Sequence, residues 1–369
     1  MTFQTLNRYS IPFFAVLVIA GSSAAVSLSR LQIIEEMASL KPLAKVHYSW
    51  GWPGVLLDDP NGRLLYHTAR IMNAVSISGH SATAQKVRAA VYTCARLNRT
   101  DPDIPLTVGI NYSPFHYVLD PNVPPTYRGP TYQEELDRFI GRMVRIKEWI
   151  NQYNDYYQSD VHVGAILLDM ERFHFQPGND QWNEGMRTAL NAVHDRAQTL
   201  FPYARVEWYG RGMRWINGDP PWRQSPYFTG KEKLSSLSCS LYFVPEIGRT
   251  LELYRRTAAL ADQLGVQDVT PWVALASGYR RGVETPFYFD LDWDYEVIYS
   301  YLIGRYINHS WFGVPERSER FAPFGRAKVV VFYPPPFDPR TPHWGKHFIA
   351  YVRGAQSVKQ LSDLGGPDR

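Results

Sequence analysis

Two carboxylates two residues apart, Asp169 and Glu171, close the clearest apolar run in this chain, Val161-His162-Val163-Gly164-Ala165-Ile166-Leu167-Leu168. A β-strand turns side chains i and i+2 to one face, about 6.6 Å apart along the backbone. Like charges that close raise the proton affinity of one of them, so one carboxyl stays protonated near neutral pH beside an ionised neighbour. Glu171, nearer the strand end, is then placed to protonate a glycosidic oxygen. Asp169, one layer deeper, is placed to orient a neighbouring substrate group or to stabilise positive charge. The competing reading is a buried ion network in which either carboxylate pairs with Arg172, Arg205 or Arg211.

Other strand ends supply aromatic and amide groups. Trp50, Asn111, Tyr112, Glu207, Tyr209, Trp272 and Tyr333 are the candidate substrate-binding residues, and Tyr242 is a third candidate catalytic residue. Alternate positions of one strand face opposite ways, so about half of the mouth-side aromatics must be core. Aromatic residues make up 14% of the 369 residues, from 11 Trp, 24 Tyr and 18 Phe, which suits either a sugar-stacking cleft or a dense core. His47, His116, His162, His174 and His194 lack metal-ligand spacing, and Ser49 and Ser277 lack a nucleophile elbow. No Gly-rich loop follows an early strand, so the expectation is an enzyme with no metal and no cofactor. Lys+Arg number 39 and Asp+Glu 35, a thinly spread net charge of +4 that argues against a nucleic-acid partner.

These residues need a scaffold that brings strand ends to one place. The predicted strands are Ala44–Trp50, Ala74–Ser78, Pro105–Tyr112, Val161–Met170, Arg205–Tyr209, Leu237–Phe243, Thr270–Ala276 and Lys328–Tyr333. Helical patterns are predicted over Ser81–Leu97, Tyr132–Tyr153, Asn183–Leu200, Thr250–Leu264, Trp293–Asn308 and Gly345–Gln360. Near-continuous apolar strands such as Ala165-Ile166-Leu167-Leu168 fit a parallel sheet buried on both faces. The expected fold class is α/β, a (β/α)8 TIM barrel over residues 31–369, with a doubly wound open sheet as the alternative. In such a barrel the chemistry sits at the C-terminal ends of the strands. The seventh predicted strand, Thr270–Ala276, ends without a carboxylate, which favours a substrate-assisted mechanism over one with a second carboxylate nucleophile.

Residues 1–30 form a separate segment. Ile11 to Leu28 carries no charge, follows Arg8, and ends in the small-residue run Gly21-Ser22-Ser23-Ala24-Ala25. That layout fits either a cleaved secretory signal or an uncleaved membrane anchor. The protein is expected to be secreted or extracytoplasmic, with membrane anchoring through residues 11–28 left open. Asn98-Arg99-Thr100 and Asn308-His309-Ser310 are glycosylation sequons if the source is eukaryotic. Cys94 and Cys239 fit either a pair in an exported protein or two buried thiols.

The run Ala165-Ile166-Leu167-Leu168-Asp169-Met170-Glu171 resembles the fourth-strand signature of chitinase-type (family 18) glycoside hydrolases and the D-W-E of the hyaluronidases. Leu241-Tyr242-Phe243 lies where both families carry a tyrosine on the sixth strand. Glu207-Trp208-Tyr209-Gly210 is similar to the W-G-Y/F-Y segment that follows the hyaluronidase catalytic strand. Met170 replaces the middle aromatic residue, Leu167 stands where the longer chitinase motif has a further Asp, and Phe243 follows Tyr242 where chitinases have Asp. The resemblance implies a retaining, substrate-assisted glycoside hydrolase acting on a poly- or oligosaccharide that contains N-acetylhexosamine. It assigns Glu171 as general acid, Asp169 as the group that positions the N-acetyl carbonyl, and Tyr242 as a hydrogen-bond partner of the reacting sugar. A catalytically silent barrel that uses its aromatic cleft as a lectin is the alternative function, and a barrel enzyme with Asp169 and Glu171 as metal ligands is a third.

Overall fold

The computed structural model describes residues 30–50, 62–100, 105–114, 132–169, 175, 178–215, 222–225, 228, 230–241, 247–274, 300–301, 303–305, 307–308, 327–333 and 343–357. Ten strands run along the described chain: β1 (Val46–Ser49), β2 (Ala74–Ser78), β3 (Thr107–Tyr112), β4 (Val163–Leu168), β5 (Arg205–Trp208), β6 (Met213–Trp215), β7 (Trp222–Gln224), β8 (Leu237–Ser240), β9 (Val269–Ala274) and β10 (Val329–Tyr333). The helices are α1 (Arg30–Ser39), α2 (Arg63–Met72), α3 (Ala84–Thr100), α4 (Tyr132–Tyr157), α5 (Asp180–Leu200), α6 (Ile247–Leu264) and α7 (His343–Gln356).

Local chemistry sets the boundaries. Helix α4 buries Leu136, Phe139, Met143, Ile146 and Ile150, a spacing of three and four that makes one apolar stripe. Asn179 caps α5 by accepting the Trp182 N–H at 3.1 Å. Helix α2 stops at Asn73, whose φ of 56° lies in the left-handed region that Asn tolerates, and its Nδ2 donates to the Leu43 carbonyl. The chain therefore reverses into β2 without a loop.

Eight strands form two parallel four-stranded sheets, ordered β2-β3-β4-β5 and β1-β10-β9-β8. One face of each sheet packs on helices through Val75, Ile77, Val108, Ile110, Ile166, Leu168, Val206, Leu237, Val330 and Phe332. The opposite faces share a second core made of strand residues from both sheets: Tyr48, Ala74, Ala165, Leu167, Tyr209, Trp272, Val329 and Val331. Among the described residues, this second core is drawn from both sheets and from no helix. Their edges also meet, β1 beside β2 and β5 beside β8. Mixed α/β structure with two such parallel sheets is compatible with a TIM barrel, although no sheet ladder runs unbroken around the described strands.

Serine hydroxyls knit the two edges. The Ser49 N–H donates to Ser76 Oγ at 2.8 Å, and Asn111 Nδ2 reaches across to the Ser49 carbonyl at 2.8 Å. On the other side, Val206 N–H donates to Ser235 Oγ at 3.1 Å and Arg211 N–H to Ser238 Oγ at 2.6 Å. Ser238 N–H returns a bond to the Arg211 carbonyl at 2.8 Å. These bonds satisfy buried edge groups that would otherwise lack a partner.

One inner side chain dictates two glycines. Tyr48 crosses the interior from β1, and its hydroxyl shares a 2.7 Å hydrogen bond with Thr107 Oγ1 on β3. A Cβ on Gly109 would overlap the Tyr48 ring, and one on Gly164 would overlap the Tyr48 hydroxyl and Thr107. Gly164 is also the extra residue where the β3–β4 register shifts, Val108 facing Val163 but Gly109 facing Ala165. Gly109→Ala is expected to cost about 1–3 kcal/mol by overpacking. Thermal unfolding checks this, and Tyr48→Phe in the same background should not restore stability because the clash is with the ring.

The chain departs from simple strand–helix alternation after β5. In place of a helix, the described part of residues 209–236 holds the antiparallel hairpin β6–β7, paired Met213 with Gln224 and Trp215 with Trp222. Gly210, Gly212, Gly218 and Pro220-Pro221 make this stretch unsuited to a helix. Gly212 is further required because a Cβ there would overlap the Ser238 carbonyl at the β5–β8 edge. Among the described residues, no helix is long and apolar enough to cross a membrane, and residues 11–28 lie outside them. Cys94 on α3 and Cys239 on β8 are both free and buried, and burial pushes each thiol up to about 12.

Candidate active site

Alternation along β4 turns Ala165 and Leu167 into the inner core and carries Asp169 to that same face at the C-terminal end of the strand. Asp169 is half-buried, and its backbone N–H bonds the Tyr112 carbonyl at 3.1 Å, so the strand pairing continues through it. Its Oδ1 is shut off from solvent. Glu171, two residues on, and Tyr242, one residue past Leu241, lie outside the described residues.

Three candidate binding residues meet on the inner face at the same end. Trp272 of β9 stands at the centre, with its ring centroid 5.2 Å from Tyr209 and 5.9 Å from Trp50. The Tyr209 hydroxyl shares a 3.0 Å hydrogen bond with Ser240 Oγ, which fixes the ring. The Trp272 indole N–H is buried and has no hydrogen-bond partner among the described residues. Asn111 of β3 is buried as well; its Nδ2 is held by the Ser49 carbonyl, and its Oδ1 has no partner among the described residues. A buried donor and a buried acceptor thus have no partner among the described residues. Tyr333 is the last residue of β10, paired with Ala274; its side chain lies outside the described residues.

Two other candidates sit elsewhere. Tyr112 turns outward, into the helix-facing core. Its ring stacks on His80 at 4.0 Å and packs edge-on to Phe139 at 5.1 Å, and burial raises its hydroxyl pKa. It is one residue past Asn111, and strand alternation puts the two on opposite faces. Glu207 is inward but fully enclosed. It accepts from Arg205 Nε at 2.8 Å, from Thr270 Oγ1 at 2.9 Å and from the Ser236 hydroxyl. Arg205 also holds Asp268 at 2.9 Å, and Lys328 reaches the other Asp268 oxygen at 3.2 Å. A buried ion network forms around Glu207, with Arg205 as its cation, and both Glu207 oxygens are occupied.

The serines that matter were not singled out from sequence, although a signal was there. Residues 235–240 read Ser-Ser-Leu-Ser-Cys-Ser, an alternation that puts Leu237 and Cys239 in the outer core. Ser236, Ser238 and Ser240 bond Glu207, Arg211 and Tyr209 along the β5–β8 edge. Among the described residues no cluster of His, Cys, Asp and Glu could hold a metal ion.

These elements define a class: a mixed α/β protein of parallel strands, compatible with a TIM barrel, with a carboxylate and an aromatic trio on the inner face where the strands end. No family profile matches the chain, and no curated protein matches it. Among solved structures it is similar to bee venom hyaluronidase, at 12% identity and a TM-score of 0.30, over 75% of this chain and 78% of that one. An overlap that loose carries no weight, so the functional reading rests on the residues themselves.

Proposed function

We propose that the chain is a closed (β/α)8 barrel that hydrolyses a glycan containing N-acetylhexosamine, exported through residues 11–28 or held to a membrane by them. The observation that carries this reading is Asp169, on the inner face at the mouth end of β4 and two residues before Glu171. Tyr209, Trp272 and Trp50 support it by grouping aromatic faces at the same end, and the strand-four resemblance to chitinase-type and hyaluronidase-type enzymes assigns the roles. Glu171, kept protonated by the nearby carboxylate, donates its proton to the glycosidic oxygen as the C1–O bond breaks. Asp169 orients the acetamido group so that its carbonyl oxygen forms the new bond to C1. The Glu171 carboxylate then takes a proton from water, which opens the cyclic intermediate with retention of configuration. Tyr242 hydrogen-bonds the reacting sugar, and Trp50, Asn111, Tyr209, Trp272 and Tyr333 line the cleft. Tyr112 and Glu207 are left out of this set as a packing residue and an interior strut.

Release of reducing ends from matched oligosaccharides tests the reading. Substrates whose N-acetyl group is replaced by hydroxyl are expected to lose kcat/KM by at least about a hundredfold, because the internal nucleophile is gone. Equal turnover of both would remove the substrate-assisted mechanism. Glycan binding with no turnover, unchanged in Glu171→Gln, would select the lectin reading instead.

A further inference from the structure

Few large hydrophobic side chains are exposed among the described residues, and two of them stand together on the outside of the molecule: Tyr92 at 48% and Tyr156 at 69% exposure. Tyr92 lies on α3 and Tyr156 in the last turn of α4, where the two helices pack side by side. Between them stands Tyr157, half-buried against the core, with ring centroids 5.3 Å from Tyr92 and 4.9 Å from Tyr156. Arginines frame the rings. Arg88 Nε donates to the Tyr157 hydroxyl at 2.9 Å while its guanidinium lies over the Tyr156 ring, 5.7 Å from the centroid. Arg99 donates to the Tyr157 carbonyl, and Arg96, one turn along α3, lies 4.6 Å over Tyr66. Arg88, Tyr92, Arg96 and Arg99 share the solvent-facing side of α3.

This face is the far side of the protein from the inner-face site. Strand β4 leads away from the end of α4, so Tyr156 and Tyr157 sit toward the N-terminal ends of the strands and Asp169 at the C-terminal end. Aromatic rings held open to water by a packed neighbour, and bordered by guanidinium groups with N–H donors to spare, provide two kinds of contact at once. The ring faces take the apolar C–H side of a pyranose. The guanidinium forks take a carboxylate. Asp155 and Asp160 are the exposed acidic residues nearest in sequence to Tyr156 and Tyr157, against Arg88, Arg96 and Arg99 on α3.

We propose that the α3–α4 face is a second, non-catalytic glycan-binding site for an acidic polysaccharide, built on Tyr92 and Tyr156 with Arg88 and Arg99 as carboxylate partners. Charge complementarity selects an acidic chain over a neutral one, and the site would hold a polymer to the protein independently of the cleft. It does not depend on the hydrolase reading: a protein with no turnover would still bind here.

The probe is oligogalacturonate, with its fully methyl-esterified form as the control that keeps the rings and removes the charge, titrated calorimetrically into the whole chain. Oligogalacturonate should bind and the ester should bind about tenfold more weakly or not at all; binding should weaken as salt rises. Tyr92→Ala with Tyr156→Ala should lower affinity about tenfold, and Arg88→Gln should reduce the preference for the acid over the ester. All are exposed positions, so unchanged thermal unfolding separates lost binding from lost fold. Trp50→Ala, which removes an aromatic face of the cleft, should leave this binding intact, which distinguishes the face from the cleft. Equal affinity for acid and ester, affinity unmoved by the paired tyrosine variant, or no binding to oligogalacturonate or to a second uronate polymer such as alginate would overturn the proposal. So would a protein dimer that dissociates in the tyrosine variant, since the face would then be covered by a second copy.

Discussion

Glu207→Ala is expected to destabilise the protein by about 3 kcal/mol, near the low end for breaking a buried ion pair. The low end applies because Arg205 keeps Asp268 as a partner when Glu207 is removed. The alanine would still leave a cavity between β5, β8 and β9 and take away the acceptor shared by Ser236 and Thr270. Those two hydroxyls already lie 2.8 Å apart and can bond one another, which limits the cost. Thermal or denaturant unfolding measures it. A substrate-contact role predicts the opposite pattern: unchanged stability with a raised KM. The strut reading predicts lowered stability and ordinary turnover for whatever fraction remains folded.

The second large effect falls on Asp169 and Glu171 and has a signature that a structural role would not produce. Glu171→Gln should lower kcat on a substrate with a sugar leaving group by about 10²–10⁴-fold, the range for losing a general acid. The loss should shrink for a nitrophenyl glycoside, whose leaving group departs without a proton. Asp169→Asn should lower the rate for both leaving groups alike, because it removes the orientation of the acetamido group and not the proton. Steady-state kinetics on the paired substrates read the difference. Equal losses in both variants for both substrates would assign the two residues one shared role.

Strand positions were largely legible because a strand buried on both faces reads as an unbroken apolar run, as in Val163–Leu168, whatever its neighbours do. The second strand, Ala74–Ser78, was legible for the same reason despite its two serines. The hairpin at Met213–Gln224 was not, since strands of three residues among Gly, Pro and Trp leave too little periodicity to read. Helix α1 follows directly on the apolar N-terminal segment, which hides its start.

The faces were harder than the strands. Alternation says that Asn111 and Tyr112 point opposite ways, but not which one points inward; that parity is fixed by packing against Phe139 and His80. Trp208 and Tyr209 pose the same choice, and there Trp208 goes to the helices and Tyr209 to the interior. In β4 the extra residue Gly164 shifts parity partway along, so counting back from Asp169 fails below Ala165. Glu207 was legible as a charged group on a strand and nothing more. Its partners Arg205, Ser236 and Thr270 come from β5 and from chain 29 and 63 residues away, a convergence created where β5 meets β8 and β8 pairs with β9.

The central claim is that Glu171, beside Asp169, delivers the proton that breaks a glycosidic bond. The most direct measurement is the turnover number of Glu171→Gln against the parent protein on an N-acetylhexosamine oligosaccharide, with thermal unfolding measured on both. The account predicts a fall of at least about a hundredfold with an unchanged unfolding temperature. Parent-level turnover in the variant would contradict it.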